Sequence, residues 1–85
     1  MKIMIADGRE LFREGLTTLL RAEYGMKSVF ACSSAPECIQ KCLEHNPDVV
    51  IVNLDDPEPA LSQTVLCILR EKKHMSIING YIIMN

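Results

Sequence analysis

Four consecutive branched apolar residues, Val49-Val50-Ile51-Val52, are entered from Asn46-Pro47-Asp48 and left into Asn53-Leu54-Asp55-Asp56-Pro57. A run without polar alternation, bounded by turn residues on both sides, reads as a strand buried on both faces. Such strands belong to parallel sheets with helices on each side, which narrows the fold class to α/β. Chemistry in open α/β sheets happens at the carboxyl ends of the strands, and the residue ending this one is Asn53. A carboxylate there could accept a phosphoryl group; an amide cannot.

The rest of the chain supplies the alternation that a parallel sheet needs. Lys2-Ile3-Met4-Ile5-Ala6 reads as a first strand ending at Asp7-Gly8. A helix is expected from about Arg9 to Glu23, with Leu11, Phe12, Leu16, Leu19 and Leu20 as its inward stripe and Gly25 closing it. Lys27 to Ala31 reads as a second strand. Ser34-Ala35-Pro36-Glu37 then has the form of a capping box, opening a helix that buries Cys38, Ile39, Cys42 and Leu43 and stops before Asn46-Pro47. A third helix is expected from about Ala60 to Lys72, with Leu61, Val65, Ile68 and Leu69 inside.

The last dozen residues carry two readings. Ile77-Ile78-Asn79-Gly80-Tyr81-Ile82-Ile83 places Asn-Gly between apolar pairs, a hairpin signal. The preceding alternation instead predicts one further parallel strand, and that is the expectation adopted here.

Composition removes several function classes. With 85 residues the chain makes one small domain, and 48% hydrophobic with 24% charged residues is globular composition. A net charge of −2, without a basic stripe, argues against a nucleic-acid surface. No segment approaches the ~20 apolar residues of a membrane helix. Met1 to Ile5 is too short for a signal peptide, so a soluble, cytoplasmic protein is expected.

Cysteines suggest a sensor at first sight. Cys38, Cys42 and His45 stand at i, i+4 and i+7, so one helix face could present two thiols and an imidazole to a metal or an oxidant. No CxxC knuckle accompanies them, and Cys32 and Cys67 are isolated, which favours core packing. The thiol or metal sensor stays as an alternative.

Two motifs carry a resemblance. Ile3-Met4-Ile5-Ala6-Asp7 with Leu11-Phe12-Arg13-Glu14-Gly15-Leu16, and Pro47-Asp48-Val49-Val50-Ile51-Val52-Asn53-Leu54-Asp55-Asp56-Pro57, resemble response-regulator receiver domains, particularly those attached to LuxR-type transcription factors. The resemblance covers Met1 to about Lys72. It implies a flavodoxin-like, doubly wound parallel sheet that here ends after about the fourth strand. The family's fourth helix, fifth strand, fifth helix and DNA-binding output domain are then missing from this chain.

The resemblance also assigns positions. In the family an acidic pair after the first strand binds Mg²⁺, and an aspartate ending the third strand accepts phosphate from a histidine kinase. Asp7 matches the first of the pair, Gly8 occupies the second, and Asn53 occupies the phosphoacceptor position. Asp55 falls where a backbone carbonyl usually contacts the metal. The family's later Ser/Thr and Lys find no match, since no Ser or Thr follows Ser76 and no Lys follows Lys73. Asp7, Gly8, Asn53 and Asp55 therefore mark a vestigial pocket, with Mg²⁺ binding weak or lost.

The expected function is a pseudo-receiver: a phosphorylation-independent two-component signalling module, not an enzyme. Two alternatives keep phosphoryl transfer open, through Asp55 or Asp56, or through an active receiver in which Asn53 is an engineered change. Ile77, Ile78, Tyr81, Ile82 and Ile83 are expected to be exposed on an unpaired last strand. They make the expected contact surface for a homodimer or for a partner supplying a strand. A histidine kinase is a further partner implied by the resemblance.

Overall fold

The computed structural model describes residues 1–53, 59–69, 74–78 and 81–84. They form β1 (Ile3–Ala6), α1 (Glu10–Tyr24), β2 (Val29–Cys32), α2 (Ala35–His45), β3 (Val49–Asn53), α3 (Pro59–Leu69), β4 (Met75–Ile78) and β5 (Tyr81–Met84). The strands lie in the order β2-β1-β3-β5-β4. The expected α/β class holds, with β1 flanked in parallel by β2 and β3.

Strand parity divides the core into two layers. Met4, Ala6, Cys32, Val50 and Val52 face α2 and α3, where they meet Cys38, Leu61 and Val65. Ile3, Ile5 and Val29 face the other way and are covered by Leu16 and Leu20 of α1. Asp48 stitches the entrance of the sheet: its carboxylate accepts the Lys2 N–H at 2.8 Å, and its own N–H donates to the Lys2 carbonyl at 2.8 Å.

Helix ends follow their local chemistry. Gly25, at φ +99°, donates its N–H to the Arg21 carbonyl and closes α1. Ser34 caps α2 by accepting the Glu37 N–H at 3.4 Å, while the Glu37 carboxylate reaches back to the Ser33 N–H at 2.7 Å. This is the anticipated box with its return bond shifted by one residue. Asn46, in the left-handed region at φ +46°, ends α2 before Pro47.

Two expectations are corrected. The single parallel last strand is instead a pair: β5 runs antiparallel to β3, and β4 antiparallel to β5. The sheet is therefore mixed. A parallel arrangement admits only one of these two apolar segments beside β3. Antiparallel pairing brings both into the sheet and gives their backbone groups ladder partners. The expected exposed tail changes accordingly. Ile82 is buried in the main core with Met84, and Tyr81 and Ile83 are half-buried. Ile77 and Ile78 align with Ile82 and Tyr81 in the ladder; their side chains lie outside the described residues, as do those of Ile68 and Leu69.

The inward stripes of α1 and α2 are also narrower than expected. Leu11, Leu19, Ile39 and Leu43 are exposed, and Phe12 is half out of the core. Thr17, which is not in the expected inward stripe of α1, is its buried residue, its hydroxyl donating to the Arg13 carbonyl at 2.6 Å. A helix lying on a four-residue-wide strip of sheet covers one line of side chains. Apolar residues flanking that line stay outside, as a small domain with a high surface-to-volume ratio requires.

Candidate functional site

Parallel register brings the first and third strand ends to one level. Ala6 pairs with Val52, so Asp7 and Asn53, the next residue on each strand, stand side by side. Both are buried, at 0% and 2% exposure. The Asn53 amide donates from Nδ2 to Asp7 Oδ1 at 3.4 Å. Antiparallel β5 begins at this same end of the sheet, and its first residue, Tyr81, lies opposite Asn53.

Arg9 completes the pocket. Its backbone N–H reaches Asp7 Oδ1 at 2.9 Å, its Nε the same oxygen at 3.2 Å, and its Nη2 reaches Oδ2 at 3.1 Å. The same Nη2 donates to the Tyr81 hydroxyl at 2.5 Å, and that hydroxyl lies 3.5 Å from Asp7 Oδ2. Above this pair, Phe12 and Tyr81 stack with ring centroids 5.5 Å apart, and the Arg9 guanidinium sits 4.4 Å from the Phe12 centroid. The Asp7 carbonyl is taken by Arg13 Nη1 at 2.9 Å.

The electrostatics match this geometry. Its hydrogen bond to Asp7, above all, holds the Arg9 guanidinium above its ordinary pKa. Burial raises the Tyr81 phenol, with Arg9 pulling it back. A planar, permanently charged fork against a buried carboxylate is a strong form of ion pair.

Magnesium does not fit these residues. It takes near-octahedral oxygen ligands, usually with one or two free carboxylates. Here the Asp7 carboxylate is engaged on both oxygens by Arg9, position 8 brings no side chain, and Asn53 turns its NH₂ group toward Asp7. Asp55 and Asp56 lie outside the described residues.

The sequence places Asp7-Gly8 at the end of the first strand and Asn53 at the end of the third, but it gives Arg9 and Phe12 no part in the pocket and Tyr81 a part only in the contact surface. In the sequence Arg9 marks only the start of the first helix, Tyr81 belongs to the expected exposed last strand, and Phe12 to the inward stripe. The Asp7-x-Arg9 spacing was the available signal, since two residues past a strand end a long side chain can fold back onto the carboxylate.

The thiol alternative changes shape as well. Cys38 is buried beside Cys32 and the partly buried Cys42, whose hydrogen bonds, with burial, push its thiol far up from the ordinary value. Cys42 Sγ donates to Met4 Sδ at 3.9 Å, and the His45 ring rests 4.6 Å from Phe30. Among the described residues no three His, Cys, Asp or Glu side chains are grouped to hold a metal. Thiol labelling with a disulfide reagent at mildly alkaline pH is expected to modify exposed Cys67 first and Cys42 after it. Cys32 and Cys38 should react only once denaturant is added.

Comparison with known proteins places this geometry in a setting. The chain is 40% identical over 57 residues to the oxygen regulatory protein NreC of Staphylococcus epidermidis. It is 39% identical to that of Staphylococcus haemolyticus and 37% to that of Staphylococcus carnosus over the same length. In each case the match takes in 67% of this chain and 26% of the relative, so the chain spans about a quarter of the length of these curated relatives. No family model matches, and no solved structure gives a significant match. The relatives and the α/β fold together bear out the resemblance to response-regulator receivers.

Proposed function

We propose that this receiver-like chain is a pseudo-receiver, a cytoplasmic signalling module that acts through protein contacts without being phosphorylated and without catalysing a reaction. The observation that carries the reading is the Asp7–Arg9 pair. A receiver pocket crowds carboxylates and needs a bound cation to relieve their repulsion. In this chain Gly8 and Asn53 remove two of the negative charges, and Arg9 supplies a covalently attached positive one. The site is then electrostatically satisfied at rest, with neither metal nor phosphoryl group.

The decisive experiment is incubation with acetyl phosphate and Mg²⁺, followed by intact mass. No phosphoryl adduct is expected. A stoichiometric adduct would overturn the reading, and loss of that adduct in D55A/D56A would assign it to those two carboxylates.

The contact mode proposed is self-association through β4. That strand ends the sheet order, and among the described residues nothing pairs with its outer edge. An open edge of this kind recruits either a second copy or another protein's strand. Light scattering across about a hundredfold concentration range is expected to give a dimer mass that falls only on dilution. A monomer throughout would move the partner to a different protein, with a histidine kinase first in line.

A further inference from the structure

The β2 edge of the sheet holds a second feature, which meets the Asp7 pocket only through Arg13. A groove of about 350 Å³ runs along the outer side of β2, between α1 and α2, with Phe30 and Ala31 at its floor. Three cations line it, Arg13, Arg21 and Lys41, against one acid, Glu14. This is a concentration of positive charge in a chain whose net charge is −2.

Each cation is held in place by a main-chain carbonyl. Arg21 Nε donates to the Val29 carbonyl at 3.1 Å, Lys41 Nζ to the Ala31 carbonyl at 2.6 Å, and Arg13 Nη1 to the Asp7 carbonyl at 2.9 Å. None of the three has a carboxylate within ion-pairing distance among the described residues. Their charges are therefore fixed in position and electrostatically unspent.

The anchoring carbonyls have a regular spacing. Val29 and Ala31 are two residues apart on β2, about 6.6 Å along the strand. Ala6 aligns with Cys32, so Asp7 stands one step further, again two residues beyond Ala31. The three cations are thus tethered at successive levels of roughly 6.6 Å, spread over about 13 Å. A lone phosphate is too small to meet all three. An extended peptide presents every second side chain on one side at the same interval.

We infer that the β2 groove is a docking site for an extended acidic protein segment carrying Asp or Glu at alternate positions. The cations that cap the edge carbonyls also keep another strand from pairing there, so recognition runs through charge and not through backbone addition. A polynucleotide is the less suitable polyanion: the chain is acidic overall, and Phe30, the one aromatic residue lining the groove among the described residues, is already in contact with His45, so no row of rings is offered for successive bases.

The test uses the intact chain and three labelled probes of equal charge: a short peptide alternating Glu with Thr, the same residues with the glutamates in one block, and a single-stranded oligonucleotide. Fluorescence anisotropy is expected to show the alternating peptide binding most tightly. K41E should weaken that binding by about tenfold or more, whereas K27E, an equal charge change at an exposed site outside the groove, should leave it near the parent value. Circular dichroism checks that K41E is folded; failing that, Lys41→Gln, which keeps a donor for Ala31, is compared with Lys27→Gln, again an equal charge change. Equal binding of the block peptide, equal loss in K27E, tighter binding of the oligonucleotide, or no binding at all would each overturn the inference.

Discussion

Replacing Asn53 with aspartate (N53D) is expected to destabilise the protein by roughly 2–3 kcal/mol at neutral pH, although it restores the residue type of a receiver. Asn53 is 2% exposed, and its Nδ2 donates to Asp7 Oδ1 at 3.4 Å. A carboxylate in its place removes that donor and sets a second negative charge against the first. Arg9 offers limited relief, because its fork is already closed on Asp7 and Tyr81. Burial and the neighbouring carboxylate both raise the pKa of the new carboxyl in the folded state. The sign of the pH dependence follows: below the ordinary carboxyl value, about 4, the added group is protonated in both states and the variant lies nearest the parent. Its deficit grows as pH rises through the raised folded value and then levels off. Urea unfolding at a series of pH values measures this directly. The D7N/N53D exchange, which returns one amide and one carboxylate to the pair, should recover at least half of the loss. An N53D protein as stable as the parent at neutral pH would mean that Arg9 relieves a second carboxylate as well as the first, and that its fork is not spent on Asp7 and Tyr81.

The contrast between what was legible in the sequence and what was not follows the range of each interaction. Val49 to Val52 declared a buried strand because burial on both faces removes polar alternation, and Ser34 and Gly25 marked helix ends because capping is a matter of a few neighbouring residues. The Asp7–Asn53 pairing was also readable, since parallel register carries two strand ends to the same level. Arg9 was not, because its partner is chosen by side-chain direction at a helix start and not by helical phase. Leu11, Leu19 and Leu43 misled for a related reason: periodicity defines an apolar arc but not how much sheet there is to cover it. The antiparallel pair was hidden because Asn79-Gly80 and the strand-helix alternation point in opposite directions, and a short apolar run reads the same in a parallel and an antiparallel buried strand.

That last point can be tested by side-chain parity in β5. Truncating Ile82 (I82A) is expected to cost about 3 kcal/mol, a large share of the roughly 4–13 kcal/mol available to a chain of this length. Truncating its neighbour Ile83 (I83A) should cost less than about 1 kcal/mol. The difference comes from the pleat: Ile82 and Met84 point into the layer shared with Val50, Val52, Leu61 and Val65, while Tyr81 and Ile83 point to the half-covered side. Register is fixed by the pairs Val52–Ile82 and Val50–Met84, and a slip of one residue would exchange the two faces. Urea midpoints of the two variants therefore read the register without a structure. A larger cost at Ile83 than at Ile82 would place β5 one residue out of the observed alignment and break the contact between Tyr81 and Arg9, since that hydrogen bond exists only where Tyr81 stands opposite Asn53.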